Sequence, residues 1–126
     1  MRLLLDSHVV LWWLDDAGEL GPGAREAIAS GDSVAVSAVT PWELGIKRAL
    51  GKLDHPDGLV DTIAAAGFDL LSISARHAER APELPLHHRD PFDRMLVAQA
   101  QADSFVLVTA DEQLARYEVE LLDATS

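Results

Sequence analysis

Arg2-Leu3-Leu4-Leu5-Asp6-Ser7-His8 decides how this chain is read: a short apolar run ends abruptly on a carboxylate. The pattern returns near the other end, where Val106-Leu107-Val108 leads through Thr109-Ala110 to Asp111. Further β-rich runs lie at Val34 to Val36, Asp69 to Ile73 and Val119 to Leu122, and the last predicted strand but one spans Phe105 to Val108. Helical patterns separate them. That alternation predicts an α/β fold around a mainly parallel sheet. In an open α/β sheet, ligands bind outside the carboxyl ends of the strands, where Asp6 and Asp111 are expected.

The helix after the second predicted strand carries Trp42, Ile46, Ala49, Leu50 and Leu53 at i, i+4, i+7, i+8 and i+11, a stripe expected to pack on the sheet. Glu43 lies beside it, with Lys47 four residues on. In isolation such a Glu–Lys spacing describes a surface pair. A later helix starts at Asp90-Pro91-Phe92-Asp93, with Leu96, Val97 and Ala100 at i+3, i+4 and i+7 from Asp93. Asp90 suits the N-cap and Pro91 the first helical position. Asp93 is left over the apolar face. Asp6 and Asp111 have a structural alternative too, since either could cap the helix that follows it.

Asp6, Glu43, Asp93 and Asp111 therefore converge if the strands lie side by side. Gathered carboxylates raise one another's pKa, and a fold that collects them usually neutralises them with a hard cation such as Mg²⁺ or Mn²⁺. Metal-assisted phosphodiester cleavage follows as the leading expectation, with Lys47, Arg48, Arg89 and Arg94 as candidate phosphate contacts.

Composition narrows the field. A chain of 126 residues, 48% hydrophobic, supports one core, and residues 1–126 are expected to form a single domain. It contains no cysteine, so disulfides, a thiolate nucleophile and cysteine-ligated metal are excluded from this sequence. The apolar start is interrupted too early for a signal peptide, and no window approaches a membrane span, so a cytoplasmic location is expected. A net charge of −11 disfavours nucleic-acid binding by overall field. Bound cations would reverse that locally.

The histidines form no zinc-type helical pair and are expected in loops or on the surface. No nucleophile elbow is present. Gly21-Pro22-Gly23 lacks the following glycine of a dinucleotide loop and is expected to start the helix around Ala24 to Ser30. Trp12 and Trp13, among Val9, Val10, Leu11 and Leu14, suit a core helix with an oligomer contact. An acidic receiver-like or peptide-binding domain without nuclease activity is the alternative, although Ser72-Ile73-Ser74 and Thr109-Ala110-Asp111 stand where a receiver needs its phosphoacceptor and lysine.

Taken together, Leu3-Leu4-Leu5-Asp6-Ser7-His8, Pro41-Trp42-Glu43-Leu44, Asp90-Pro91-Phe92-Asp93-Arg94 before Val97-Ala98-Gln99-Ala100, and Thr109-Ala110-Asp111 resemble a PIN-domain ribonuclease. More narrowly, the chain resembles a VapC-type toxin of a bacterial toxin–antitoxin pair over essentially its whole length. The resemblance implies a PIN-like three-layer α/β/α sandwich, a Mg²⁺- or Mn²⁺-dependent endoribonuclease, a homodimer, and inhibition by a VapB-type antitoxin. It also implies metal-ligand roles for Asp6, Glu43, Asp93 and Asp111. The net acidity suggests that such an antitoxin has a basic, Arg-bearing tail.

Overall fold

Leu4 packs into a different core from Leu3 and Leu5, although all three are fully buried. Successive strand side chains point to opposite faces of a sheet, so an unbroken buried triplet requires cover on both sides. The computed structural model, which describes residues 1–126, has that arrangement. Strands β1 (Arg2–Leu5), β2 (Ser33–Ser37), β3 (Asp69–Leu71), β4 (Val106–Thr109) and β5 (Leu121–Asp123) form one sheet in the order β3-β2-β1-β4-β5. Every pairing is parallel.

Six helices cover the two faces: α1 (Ser7–Leu14), α2 (Pro22–Ser30), α3 (Val39–Ala49), α4 (Leu59–Ala65), α5 (Ala75–Glu83) and α6 (Pro91–Asp103). One core joins Leu3 and Leu5 to Val9, Val10, Ile28, Leu44 and Ile63, from α1 to α4. The other joins Leu4 and Leu107 to Val39, Leu96, Val97 and Ala100, chiefly on α6. The three layers match the expected sandwich. A 3₁₀ turn, Glu112–Arg116, leads from β4 toward β5.

The chain builds outward from β1 through β2 and β3, then crosses to β4 on the other side of β1. The strand order reverses between β1 and β4, which opens a crevice at their carboxyl ends. Asp6 and Asp111 lie just beyond those ends.

The expected start of α2 and the expected core packing of the two tryptophans hold. Gly21 caps α2, which begins at Pro22; a Cβ at Gly21 would collide with the Thr125 and Ser126 carbonyls, and Ser126 O accepts the Gly23 and Ala24 N–H groups. Trp12 and Trp13 pack on the first core, Trp13 edge-on to Phe68 with ring centroids 5.8 Å apart.

The stripe of α3 departs from expectation. Trp42 and Leu50 are 62% and 64% exposed, Ala49 and Ile46 also face outward, and only Leu53 packs on the core. The buried face consists of Val39, Thr40, Glu43 and Leu44. Neighbouring helix positions lie about 100° apart, so turning Glu43 inward swings Trp42 out. There Trp42 meets Phe92 edge-on, with ring centroids 5.2 Å apart.

Histidine placement departs as well. His77 is buried as the third residue of α5, where its Nδ1 accepts the Ser74 N–H, its own N–H donates to Ser74 Oγ, and Nε2 meets Asp103 at 3.0 Å. This capping box fixes the start of α5.

Candidate metal centre

Asp6 is brought into place by doing two jobs. As N-cap of α1 its Oδ1 accepts the His8 N–H at 3.0 Å, while Oδ2 accepts the Thr109 hydroxyl at 2.7 Å from the end of β4. Burial alone would raise its pKa, but the His8 ring 3.8 Å away and the donors from Thr109 and the His8 backbone outweigh burial and hold it below the usual carboxylate value. Asp6 thus remains charged. His8 in turn has its pKa raised, chiefly by Asp6.

Glu43 is 2% exposed, so its spacing to Lys47 is no surface pair. Its Oε1 accepts the Ser7 hydroxyl at 2.7 Å, and Thr40 Oγ1 stands 3.1 Å behind Ser7 Oγ. A hydroxyl has one proton to give, so with Ser7 donating to Glu43, Thr40 donates to Ser7. Oε2 accepts from Lys47 Nζ at 2.6 Å. Burial alone would lower the Lys47 pKa, yet Glu43, assisted by Asp90 and Asp93, holds it above the usual value.

Asp90 caps α6, accepting the Phe92 N–H at 2.8 Å and the Asp93 N–H at 3.4 Å. Asp111 caps the 3₁₀ turn through the Gln113 N–H at 2.9 Å, and its own N–H donates to Thr109 Oγ1 at 3.1 Å. Capping and convergence therefore coincide at Asp6 and Asp111. All four predicted acids, with Asp90, His8, Lys47 and Trp12, line one cavity of about 270 Å³.

Asp93 is the carboxylate the protein compensates least. Its side chain is 14% exposed, and its one close partner is His88 Nε2 at 3.1 Å. Burial, then the charges of Asp6, Asp90 and Glu43, push its pKa up to about 7. His88 Nδ1 accepts the Asp90 N–H at 3.2 Å, which places the proton of a neutral ring on Nε2, and that one proton is donated to Asp111 at 2.9 Å. A buried acid short of donors and flanked by like charges fits a hard divalent cation bound through oxygen. Atoms of His88, Asp93 and Asp111 lie within 4.8 Å of one another, but with Nε2 protonated His88 donates to Asp111 while holding Asp93 Oδ2 in contact at 3.1 Å.

The model of the PIN domain family matches residues 3–120. The chain is a PIN domain. Ribonuclease VapC22 of Mycobacterium tuberculosis (strain ATCC 25618 / H37Rv) is 32% identical to it over 120 residues, covering 89% of this chain and 88% of that one. In fold it is similar to VapBC2 from Rickettsia felis, whose crystal structure was solved bound to a DNA fragment from their promoter. That match has a TM-score of 0.72 at 17% identity and covers 97% of this chain and 98% of that one. DNA-bound VapBC from Salmonella typhimurium is similar with a TM-score of 0.71 at 15% identity, covering 98% of both chains.

The predicted phosphate contacts of this PIN domain divide. Lys47 lines the acid cavity. Arg89 is exposed and borders an apolar groove beside Trp42 and Phe92. Arg48 pairs instead with Asp54 at 3.2 Å and Asp57 at 2.8 Å on the surface, away from the cavity. Arg94 is a correction: its guanidinium is buried and donates to the carbonyls of Ala81, Pro82, Leu84, Pro85 and His88 and to the Tyr117 hydroxyl. It ties down the carboxyl end of α5, where a helix leaves carbonyls without intrahelical donors. His88 is the residue missed, since the loop gave it a surface reading. The available signal was its place two residues before the N-cap of α6, close enough to share that turn's hydrogen bonds.

Proposed function

We propose that this PIN domain is a divalent-metal-dependent endoribonuclease and the toxin of a toxin–antitoxin pair. The convergence of Asp6, Glu43, Asp93 and Asp111 on one cavity carries the reading, because it joins charge convergence to an acid left without adequate donors. A bound Mg²⁺ or Mn²⁺ supplies a lowered water pKa and charge compensation for attack on a phosphodiester. Asp6 and Asp93 would hold the ion, with Glu43 and Asp111 acting from the periphery. Thr109 and the His8 N–H keep Asp6 oriented and ionised, while His88 fixes the facing oxygens of Asp93 and Asp111. Lys47 and Arg89 attract the RNA backbone toward an otherwise acidic chain.

The kinship with Ribonuclease VapC22 and the likeness to VapBC complexes support both the activity and the partner. The exposed Trp42 stripe adjoins a groove of about 380 Å³ lined by Val39, Ala81, Phe92 and Met95. Apolar residues of a VapB-type antitoxin occupy it in this reading, and its basic tail reaches the acid cavity. The toxin is a homodimer, with contact contributed by the α1 face around Trp12; sedimentation as a monomer at high micromolar concentration would remove that part. Action in the cytoplasm is part of the proposal; no helix is long and apolar enough to cross a membrane.

The test is RNA cleavage by purified protein. Cleavage should require Mg²⁺ or Mn²⁺ and vanish in Asp6→Asn with the circular dichroism spectrum unchanged. Cleavage that resists EDTA would sink the proposal. Production of the chain alone in bacteria should arrest growth, with relief by Asp6→Asn or by the product of the neighbouring gene.

A further inference from the structure

Lys47 stands where it changes the number of ions this centre holds. Its ammonium lies 2.6 Å from Glu43 Oε2, and it lines the same cavity as Asp90 and Asp93. Its side chain is 27% exposed, so the stem is held against the protein while the charge faces the cavity. Lys47 follows Glu43 by one helical turn, a spacing that keeps the pair together.

Nucleases with two metals place them roughly 3.5–4 Å apart, the pair clamping both sides of the reacting phosphate. Each ion needs carboxylate charge that is not already matched. Glu43 Oε2 accepts from the Lys47 ammonium, a full positive charge, whereas Asp6 accepts only from the His8 N–H and the Thr109 hydroxyl. A second divalent ion near Glu43 would have to displace the ammonium 2.6 Å from Oε2 or share the space with its charge. A lysine ammonium is a compact, strongly hydrated point charge with three donors, close in kind to the ion it would replace.

We propose that Lys47 takes the place of a second divalent cation, so that the centre holds one ion, at Asp6 and Asp93. This rests on the metal-dependent nuclease reading. Glu43 then acts through Lys47, fixing a permanent positive charge at the cavity wall. The fixed charge needs no ion uptake, and it stands in the same cavity as Asp6 and Asp93.

Electron paramagnetic resonance of bound Mn²⁺ distinguishes the cases, since neighbouring ions couple and isolated ones do not. The wild-type chain should bind one Mn²⁺ that Asp93→Asn removes, with an uncoupled spectrum. Lys47→Met should bind two and show coupling, with cleavage slowed about a hundredfold. Lys47→Arg keeps the charge and should stay at one uncoupled ion. Lys47→Gln provides the same comparison should the methionine variant fail to fold. A coupled pair in the wild-type protein would overturn the single-ion inference alone, and so would one ion in both uncharged variants. A wild-type protein that binds no Mn²⁺ at the Asp93 site would overturn the nuclease reading, and this inference with it.

Discussion

Thr109 Oγ1 donates to Asp6 Oδ2 at 2.7 Å, joining residues 103 positions apart at the two strand ends that flank the crevice. The same oxygen accepts the Asp111 N–H at 3.1 Å, so one buried hydroxyl orients two of the convergent acids. Replacing it with a methyl group of the same shape leaves a buried carboxylate and a backbone N–H each short of a partner. Thr109→Val should cost roughly 1.5–3 kcal/mol by urea denaturation and weaken Mn²⁺ binding. A loss under about 0.5 kcal/mol would show that water replaces the hydroxyl without penalty.

The acids around Asp93 make stability depend on pH in a definite direction. Asp93 has its pKa raised from 3.8 to about 7, so its contribution is complete below the lower value and is lost as pH rises through the higher. His8, also raised, adds to the loss above its ordinary value. Asp6, held low, contributes in the opposite sense, and that part is lost only in acid. The metal-free protein should therefore melt at a falling temperature between about pH 5 and pH 8. Mn²⁺ should restore the melting temperature at the upper end, and Asp93→Asn should flatten the slope. A melting temperature that rises across that range would contradict the charge crowding around Asp93.

Asp90 and Asp93 are separable. Asp90→Ala removes the cap to Phe92 and Asp93, which costs about 1 kcal/mol, and should retain Mn²⁺ binding. Asp93→Asn relieves repulsion, so it should raise the melting temperature of the metal-free protein at neutral pH while abolishing Mn²⁺ binding and cleavage. The reverse pattern would exchange their roles.

Arg94 should behave as part of the scaffold. Arg94→Met strips donors from the buried Ala81 carbonyl and from part-buried carbonyls at and beyond the end of α5, a buried one costing about 1–3 kcal/mol when left unpaired, and should destabilise the protein by roughly 3 kcal/mol. If denaturation were unchanged and only RNA affinity fell, Arg94 would return to the phosphate contacts.

What the sequence determined by itself is what local order encodes. The alternation of strands and helices, the carboxylates after β1 and β4, and the Asp90-Pro91 start of α6 were all legible, because each follows from propensity, capping or hydrophobic period within one segment. The direction in which α3 turns was not. Its Trp42 stripe satisfies the helical period as well as the true buried face does, and contacts from other elements, Ser7 reaching Glu43 and the two cores receiving Val39 and Leu44, tip the balance inward. Arg94 and His88 were hidden for the same reason. A guanidinium beside Asp93 resembles a phosphate contact until the carbonyls of α5 surround it, and a histidine in a Pro-bounded loop resembles surface until that loop closes over Asp93 and Asp111. The partners of all three come from other segments, so their roles were decided only by the tertiary structure, which sets whether a buried polar group finds a donor or must recruit a cation.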